Sequence, residues 1–432
     1  MINNKLIGIT CFIFSSFIFG QTNHDARMLG LNGSYTTLAR GYQCIGVNPA
    51  NLGTYNNRSV NLLNLSLGLS NNAFSITNYN AINGAHLEDT LSFTYYPKSQ
   101  FYDMFGGEGI RLMQSLELPL PILNFSTRRF ALTSNFSINI DMGLPNGFLD
   151  LLLFGNPFGS NISIDMEQNT IVTQDIGLSY GHSFNNFSVG FTLKYILGLF
   201  YMGMESIDTP FIITDSTGII GSNQYLIQQA IGGSGTGLDI GFTTNKSEEG
   251  YRFGLSVINL LGTVKWTQDN FLRSTLIEES MIDTAGEFYL HPNEYMYVNM
   301  VMDNVTVETL GDTSIYYEMY KVIPLEKLSG ITMTNQDSAL LVTLADGTYY
   351  FPSGGEYKIT DLIGDGDTTY TVAENYANYS TGGDNPFQTR QPMYLRLGMS
   401  RKWEEQAIVA ADLVTGFSNN YGSSTSWRGS IA

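Results

Sequence analysis

Charged residues, cysteine and long apolar runs are all scarce in this chain of 432 residues. Charged residues make up 14% of it, well below the quarter that is typical of soluble proteins. The 21 basic residues are outnumbered by 39 acidic ones, which is the wrong balance for a protein that neutralises nucleic-acid phosphates. No uninterrupted apolar run approaches the ~20 residues of a membrane-spanning helix. Nucleic-acid binding and a helical membrane protein are therefore excluded, which leaves a β-rich chain in a soluble fold or an outer-membrane barrel.

The N-terminus has the pattern of a secretory signal. Lys5 precedes an apolar run over residues 6–19, and small or polar residues follow from Gly20. We predict a signal peptide over residues 1–20; the alternative, a short membrane anchor, would have only fourteen residues to span with. Cleavage would remove Cys11 and leave Cys44 as the one remaining cysteine, so no internal disulfide is expected. Export without disulfides suits the envelope of a Gram-negative bacterium.

Strict alternation of apolar and polar residues dominates the chain. It is clearest over residues 130–142 and 187–199, where Ile196 is the one apolar residue on the polar side. The polar side is mostly Ser, Thr, Asn and Gly, whereas a soluble sandwich would show water more charge. The pattern therefore predicts an all-β fold, an antiparallel transmembrane barrel with lipid outside and a small-polar lumen. Weaker alternation covers residues 60–69, 176–184, 238–243, 251–257, 395–400 and 408–415.

Connection lengths also favour a barrel. Short turns are interleaved with long segments at residues 143–170, 200–237 and 262–392, as periplasmic turns and extracellular loops would be.

Residues 145–154 predict a short helix with Asn146 as its cap, and residues 87–107 match neither a strand nor a loop.

The longest segment, residues 262–392, exceeds an ordinary loop and is predicted to be an inserted extracellular domain that folds on its own. It holds 19 of the 39 acidic residues and 6 of the 21 basic ones. Residues 340–351 predict a hairpin around Asp346-Gly347.

Fifty-five aromatic residues would supply interfacial girdles, with Tyr180, Tyr195 and Tyr251 as examples.

Three motifs suggest chemistry only weakly. Ser179 lies in a GxSxG pattern near Asp175 and His182, but within a predicted strand rather than at a strand-to-helix turn. The Gly-rich run at residues 232–237 precedes a strand and predicts a flexible loop rather than a phosphate cradle. No enzyme, cofactor or metal is predicted. The weak candidates for a cation loop are Asp361, Asp365 and Asp367, whose spacing departs from the calcium-loop pattern.

One segment resembles a known family. The text ARMLGLNGSYTTLARGYQCIGVNPANLG at residues 26–53 is similar to the N-terminal signature of the FadL-like outer-membrane barrels. Those barrels include long-chain fatty acid transporters and the barrel subunit of the Bacteroidota type IX secretion system. Later segments, at residues 144–156, 189–201 and 254–262, resemble a Bacteroidota branch without an assigned function. The residues that match in the first segment include Gly30, Gly33, Asn48, Pro49 and Ala50.

The resemblance implies a barrel of about fourteen strands whose N-terminal hatch, here residues 21–58, plugs the lumen. The alternative is that this segment is the first Gly-rich hairpin of another β protein. Barrel strands would occupy residues 59–261 and 393–432, and the last strands would be missing. The resemblance further implies passage of hydrophobic small molecules across the outer membrane. Alternatives are a surface-binding or secretion-system partner that acts through residues 262–392, and a soluble β-sandwich adhesin.

Overall fold

A computed structural model gives the fold of the chain. It describes residues 26–55, 58–62, 64–71, 75–105, 109–120, 123–245, 250–267, 387–403, 407–418 and 425–432, and a set of strands between residues 295 and 371. The predicted signal peptide with Cys11, together with Asp361 and Asp365, lies outside the described residues, and the side chain of Asp367 does too.

The described elements are short helices and many strands. The helices are α1 (Ala26–Gly30), a 3-10 helix (Gly41–Cys44), α2 (Asn51–Thr54), α3 (Ile76–Ile82), α4 (Lys98–Asp103) and α5 (Asn146–Phe154). The strands are β1 (Arg58–Val60), β2 (Ser66–Asn71), β3 (Ile110–Pro119), β4 (Phe125–Thr127), β5 (Phe130–Leu144), β6 (Asn161–Ser163), β7 (Glu167–Ser183), β8 (Phe187–Thr214), β9 (Ile219–Thr244), β10 (Tyr251–Ile258), β11 (Thr263–Trp266), β12 (Tyr295–Val305), β13 (Ile315–Val322), β14 (Thr332–Gln336), β15 (Ala339–Leu344), β16 (Gly347–Phe351), β17 (Glu356–Thr360), β18 (Asp367–Thr371), β19 (Phe387–Arg390), β20 (Tyr394–Trp403), β21 (Ala407–Gly416) and β22 (Arg428–Ile431). No helix of this described part is long and apolar enough to cross a membrane.

Antiparallel pairing joins the strands into one curled wall. Its order is β2–β3–β5–β7–β8–β9–β10–β20–β21–β22, and β1 and β4 continue it beside β5. Residues 26–55, which we call the plug, contact both ends of this wall. Ser34 Oγ donates to Ser430 Oγ on β22 at 3.0 Å, and the Tyr42 N–H donates to Ser59 Oγ on β1 at 2.9 Å. The predicted all-β, barrel-like fold is therefore confirmed.

The wall has its apolar side outward and its polar side inward. On β7 and β8 the outward side chains of Leu178 and Leu193 are 58% and 56% exposed, whereas the inward Ser179 and Thr192 are fully buried and hydrogen-bonded to each other at 2.9 Å. This is the alternation that the sequence predicts for β5, β7 and β8, with the faces arranged as in a barrel surrounded by lipid.

The long hairpin β8–β9 contradicts one prediction. Residues 200–237 are not a long loop, because β8 continues to Thr214 and β9 begins at Ile219, and the two strands pair along this length with a shift of register between Ile207 and Phe211. At about 3.3 Å a residue, the 28 residues of β8 extend for roughly 90 Å, against an apolar band of about 25 Å. The hairpin therefore projects well beyond that band. The prediction failed because the projecting part is not alternately apolar and small-polar.

The Gly-rich run at residues 232–237 is also part of β9 and not a flexible loop. A Cβ atom at Gly233 would lie 2.7 Å from the Lys265 carbonyl oxygen on β11. A Cβ atom at Gly235 would overlap the Thr263 carbonyl oxygen on the same strand. The glycines are needed because β11 packs closely on β9. Ile196, the exception on the polar side, is fully buried here in a cluster of inward side chains: Ile171, Ile196, Tyr201, Ala230, Val264 and Trp266.

The short helices were predicted only in part. The helix at residues 146–154 is confirmed, but Pro145 occupies the cap position and Asn146 is the first helical residue. The unassigned residues 87–107 include α4.

The predicted insertion shares strands with the wall. Its first and last parts, β11 and β19, pair with each other and continue β10 and β20. Farther out, β12 pairs with β9 and β13, and β17 pairs with β13 in parallel. The predicted hairpin within residues 340–351 is confirmed as β15 and β16, which pair with β14 in a separate sheet.

Candidate functional site

The plug fills the lumen at the end where the wall strands are joined by short turns, such as Asn185-Asn186. We call this the short-turn end. The plug's own core consists of buried side chains that include Met28, Tyr35, Cys44 and Leu52, and Ala131 of β5 completes it. Ser34, Thr36, Thr37, Asn48 and Asn51 are also fully buried, so this polar segment is enclosed by the wall.

A carboxylate of the wall holds one turn of the plug. Asp412 Oδ2 on β21 accepts hydrogen bonds from the N–H groups of Tyr35 and Thr36, both at 2.8 Å, and from Thr36 Oγ1 at 2.7 Å. Arg396 on β20 donates through Nε to Thr36 Oγ1 at 3.3 Å, and its Nη2 lies 3.9 Å from Asp412 Oδ2. Both charged side chains are nearly fully buried. Hydrogen bonds to a buried ion pair are the strong kind, so this contact fixes the plug to the wall.

A second turn of the plug is bound to the wall through Asn48-Pro49-Ala50, which we call the NPA segment. Asn48 Oδ1 accepts from the Ala50 N–H at 3.1 Å, which closes a local turn, and Asn48 Nδ2 donates to the Phe242 carbonyl on β9 at 3.1 Å. On β10, Ser256 Oγ donates to the Val47 carbonyl at 2.5 Å.

A row of inward glycines makes room for these turns. We call it the glycine belt: Gly181, Gly190, Gly241, Gly254 and Gly398, on β7, β8, β9, β10 and β20. Gly190 pairs directly with Gly181 and Gly241, and Gly254 pairs with Gly398. A Cβ at Gly181 would lie 2.5 Å from Gly53 N, and one at Gly398 would lie 2.6 Å from Thr36 Cβ. The belt thus lets the plug backbone lie directly on the wall.

The five residues of the resemblance have different roles. Asn48, Pro49 and Ala50 lie against the glycine belt at Gly190 and Gly241. Gly33 has a φ of +84°, which favours glycine, whereas Gly30 has no positive φ and a Cβ there would meet nothing within 4 Å. The backbone conformation therefore favours glycine at position 33, whereas neither the conformation nor the available space requires it at position 30.

Above the plug, a polar chamber of about 110 Å³ is lined by residues from several strands, including Asp175, Lys194, Gln391 and Arg396. Lys194 Nζ lies 2.8 Å from Asp239 Oδ1, and Gln391 Nε2 donates to both Asp175 oxygens at 3.1 and 3.2 Å. The chamber has room for a few waters, at roughly 30 Å³ each.

A larger vestibule of about 960 Å³ lies farther from the short-turn end, between the start of α5 and the upper parts of β7, β8 and β9. Among the residues that the structure describes, its lining carries Asp165, Glu167 and Glu205 and no Lys or Arg. Beside it, Phe105 and Leu149 form a small core between α4 and α5, whereas Leu152 and Phe158 are 68% and 72% exposed. This end of the wall therefore combines an acidic cavity with an apolar surface.

The wall has a bulge near the chamber, which the Leu260 N–H bridges by donating to the Leu238 carbonyl at 2.8 Å. β9 pairs with β11 over Gly233–Thr236 and with β10 over Ile240–Thr243, so Asn259 and its neighbours bulge between the two ladders. The Asn259 N–H donates to the buried Asp239 carboxylate at 2.9 Å, and the side chains of Leu260 and Leu261 are exposed.

The GxSxG pattern does not form a nucleophile site. Ser179 lies mid-strand and faces the lumen, where it bonds Thr192, whereas the His182 ring is on the outward face beside the Tyr180 hydroxyl, at 3.4 Å.

Sequence reasoning missed Asp412, Arg396 and the glycine belt. The available signal was that each belt glycine occupies the polar side of an alternating strand. Which plug turn faces each glycine depends on strands far apart in sequence.

Cys44 gives a test of the enclosure. Burial raises the pKa of its thiol far above the usual range, so the thiol stays neutral, and Sγ donates to the Gly41 carbonyl at 2.9 Å. Because the thiolate is the nucleophile, we expect native Cys44 to react with a maleimide on the order of 100-fold more slowly than in the unfolded chain. The rate is measured by mass spectrometry on a Cys11→Ser variant, with Asn185→Cys as the exposed control. Equal native and unfolded rates at Cys44 would contradict the enclosure.

The fold and the plug thus define a barrel-like wall with an apolar exterior and a lumen that holds the plug. Residues 49–217 match the model of a family of unknown function (DUF5723). Among solved structures, the chain matches a FadL homologue of Pseudomonas aeruginosa at 11% identity and a TM-score of 0.27, over 96% of both chains. No curated protein matches the sequence.

Proposed function

We propose that this protein is an outer-membrane barrel through which hydrophobic small molecules pass. The observation that carries the proposal is the polarity of the wall, whose apolar side chains are exposed and whose Ser, Thr and Asp side chains are buried. Water would not favour that arrangement over large continuous areas, whereas lipid around the wall would. The hydrophobic substrate and the outer-membrane location are parts of the proposal.

The apolar surface on α5 supports capture from the outside. Its exposed side chains lie beside the vestibule, where an apolar molecule would lose contact with water on binding.

A route straight through the lumen is closed by the plug and by the charged chamber. The bulge of the wall near Asn259 supports a lateral exit instead, because the regular ladder gives way there to the bond from the Leu260 N–H to the Leu238 carbonyl at 2.8 Å, and Leu260 and Leu261 face outward. In this proposal a hydrophobic molecule reaches the wall from the vestibule and leaves into the membrane without crossing the plug.

The alternative is a surface-binding or secretion-system partner. It is favoured by the long hairpin β8–β9, which carries β12 and β13 beyond the apolar band.

One experiment separates the two functions. Full-length protein and a variant lacking residues 268–386, which keeps β11 and β19, are each placed in liposomes with a labelled fatty acid. We expect both to take up the label at several times the rate of empty liposomes, because the proposed route lies within the wall. Uptake no faster than in empty liposomes contradicts passage. Loss of every captured partner on deletion, without any uptake, supports the alternative.

A further inference from the structure

Arg401 places a cation on the apolar outer face of the wall. The outward side chains of β20 are Leu397, Met399 and Arg401, followed by Trp403 at the strand's end. Arg401 pairs across the ladder with Tyr251, the first residue of β10. A guanidinium on this face is costly within lipid unless it has partners or lies at the interface.

Two aromatic rings hold this guanidinium. Its Cζ lies 4.6 Å from the centroid of the Tyr251 ring and 4.5 Å from that of the Trp403 ring. The Arg401 Nε is buried and has no hydrogen-bond partner among the described residues. The cation is thus oriented by ring faces, and one of its donors has no acceptor within the described part of the chain.

The position corresponds to the headgroup layer of the membrane. Arg401 follows Met399, the last exposed apolar residue before it on β20, and the Lys402 N–H donates to the Gly250 carbonyl just before β10 begins. Other outward aromatic rings at this end form a continuous row from Phe130 to Phe242, with neighbouring centroids 4.7–6.4 Å apart. Aromatic belts of this kind lie at the depth of lipid headgroups.

We propose that Arg401, Tyr251 and Trp403 form a binding site for the phosphodiester of a membrane phospholipid in the leaflet at the short-turn end. The guanidinium donates to the phosphate, and the rings pack against the glycerol region. The sequence has four glutamates between β9 and β10 and between β20 and β21, at positions 248, 249, 404 and 405, so a zwitterionic phospholipid, phosphatidylethanolamine, is the probe for this site. The inference rests on the proposed membrane location.

The test uses full-length protein in a nonionic detergent. Binding of a short-chain fluorescent phosphatidylethanolamine is followed by anisotropy for wild type, Arg401→Gln, Trp403→Leu and Arg252→Gln. Arg252 is the matched control, because it is the next residue on β10, faces inward and stacks on Tyr55, with its Cζ 4.9 Å from the ring centroid. Arg401→Gln is expected to weaken binding on the order of 10-fold, Trp403→Leu by less, and Arg252→Gln not at all.

Two further arms identify the ligand. A fluorescent diacylglycerol, which lacks the phosphate, should bind wild type and Arg401→Gln alike. Inorganic phosphate should not displace the lipid; displacement would mean a site for free anions and overturn the lipid assignment. Equal lipid affinity of wild type and Arg401→Gln would also overturn it.

The membrane location is checked separately. Each variant is first tested for insertion into vesicles and for heat-dependent migration on a gel. A wild type that does not insert refutes the proposed function. An Arg401→Gln variant that inserts and binds lipid like wild type refutes only this site.

Discussion

An Asp412→Ala variant is expected to release the plug. The substitution removes three hydrogen bonds to the turn at Tyr35 and Thr36 and leaves the Arg396 cation buried without its counterion. Breaking a buried pair in this way costs about 3–5 kcal/mol. We therefore expect labelling of Cys44 to accelerate on the order of 100-fold and the conductance of the barrel in a planar bilayer to rise.

The control for this variant is Asp215→Asn. Asp215 lies at the exposed tip of the β8–β9 hairpin and accepts bonds from its own turn, where Thr217 Oγ1 is at 2.6 Å. It should leave labelling and conductance unchanged. If a folded Asp412→Ala barrel labels and conducts like wild type, then this carboxylate does not hold the plug.

A Gly241→Val variant is expected to displace the NPA turn. A Cβ at Gly241 would overlap Asn48 Oδ1 and lie 2.9 Å from Ala50 N, so the backbone of the plug has to move. Overpacking of this kind costs typically about 1–3 kcal/mol, and the two γ-carbons of Val increase the overlap. The expected result is faster Cys44 labelling and a lower temperature of unfolding by calorimetry.

The matched control is Gly237→Ala on the same strand. A Cβ there would lie 3.4 Å from Ile196 Cδ1 and Lys194 Cβ, at the edge of ordinary contact and away from the plug. It should label like wild type. Equal labelling of Gly241→Val and Gly237→Ala would show that the glycine belt is not needed to seat the plug.

The local pattern predicts much of the wall. Alternation at residues 130–142 gives β5, and alternation at residues 187–199 gives the first half of β8, because a strand presents successive side chains to opposite faces. The same rule identifies Ile196 as the exception, and the structure gives the reason, which is its place in the buried cluster that includes Trp266. The rule fails above the apolar band, where β8 and β9 continue without alternation.

The site is predicted less well than the wall. The NPA segment is visible in the sequence because Asn-Pro constrains its own turn. Asp412 and Thr36 are separated by 376 residues, and their contact depends on the curl of the whole sheet. Nothing in the sequence around Arg401 distinguishes it from other basic residues. Its position beside Tyr251 follows from the pairing of β10 with β20.

The sequence by itself determined the strand-rich composition, the two-sided character of the wall and the turn at Asn48 to Ala50, since these depend on neighbouring residues. The tertiary structure alone decided which glycines face the plug, which carboxylate holds it and which arginine lies among aromatic rings on the outer face. Those features depend on the register between strands, and register arises only when hydrogen bonding and packing align segments that are remote in the chain.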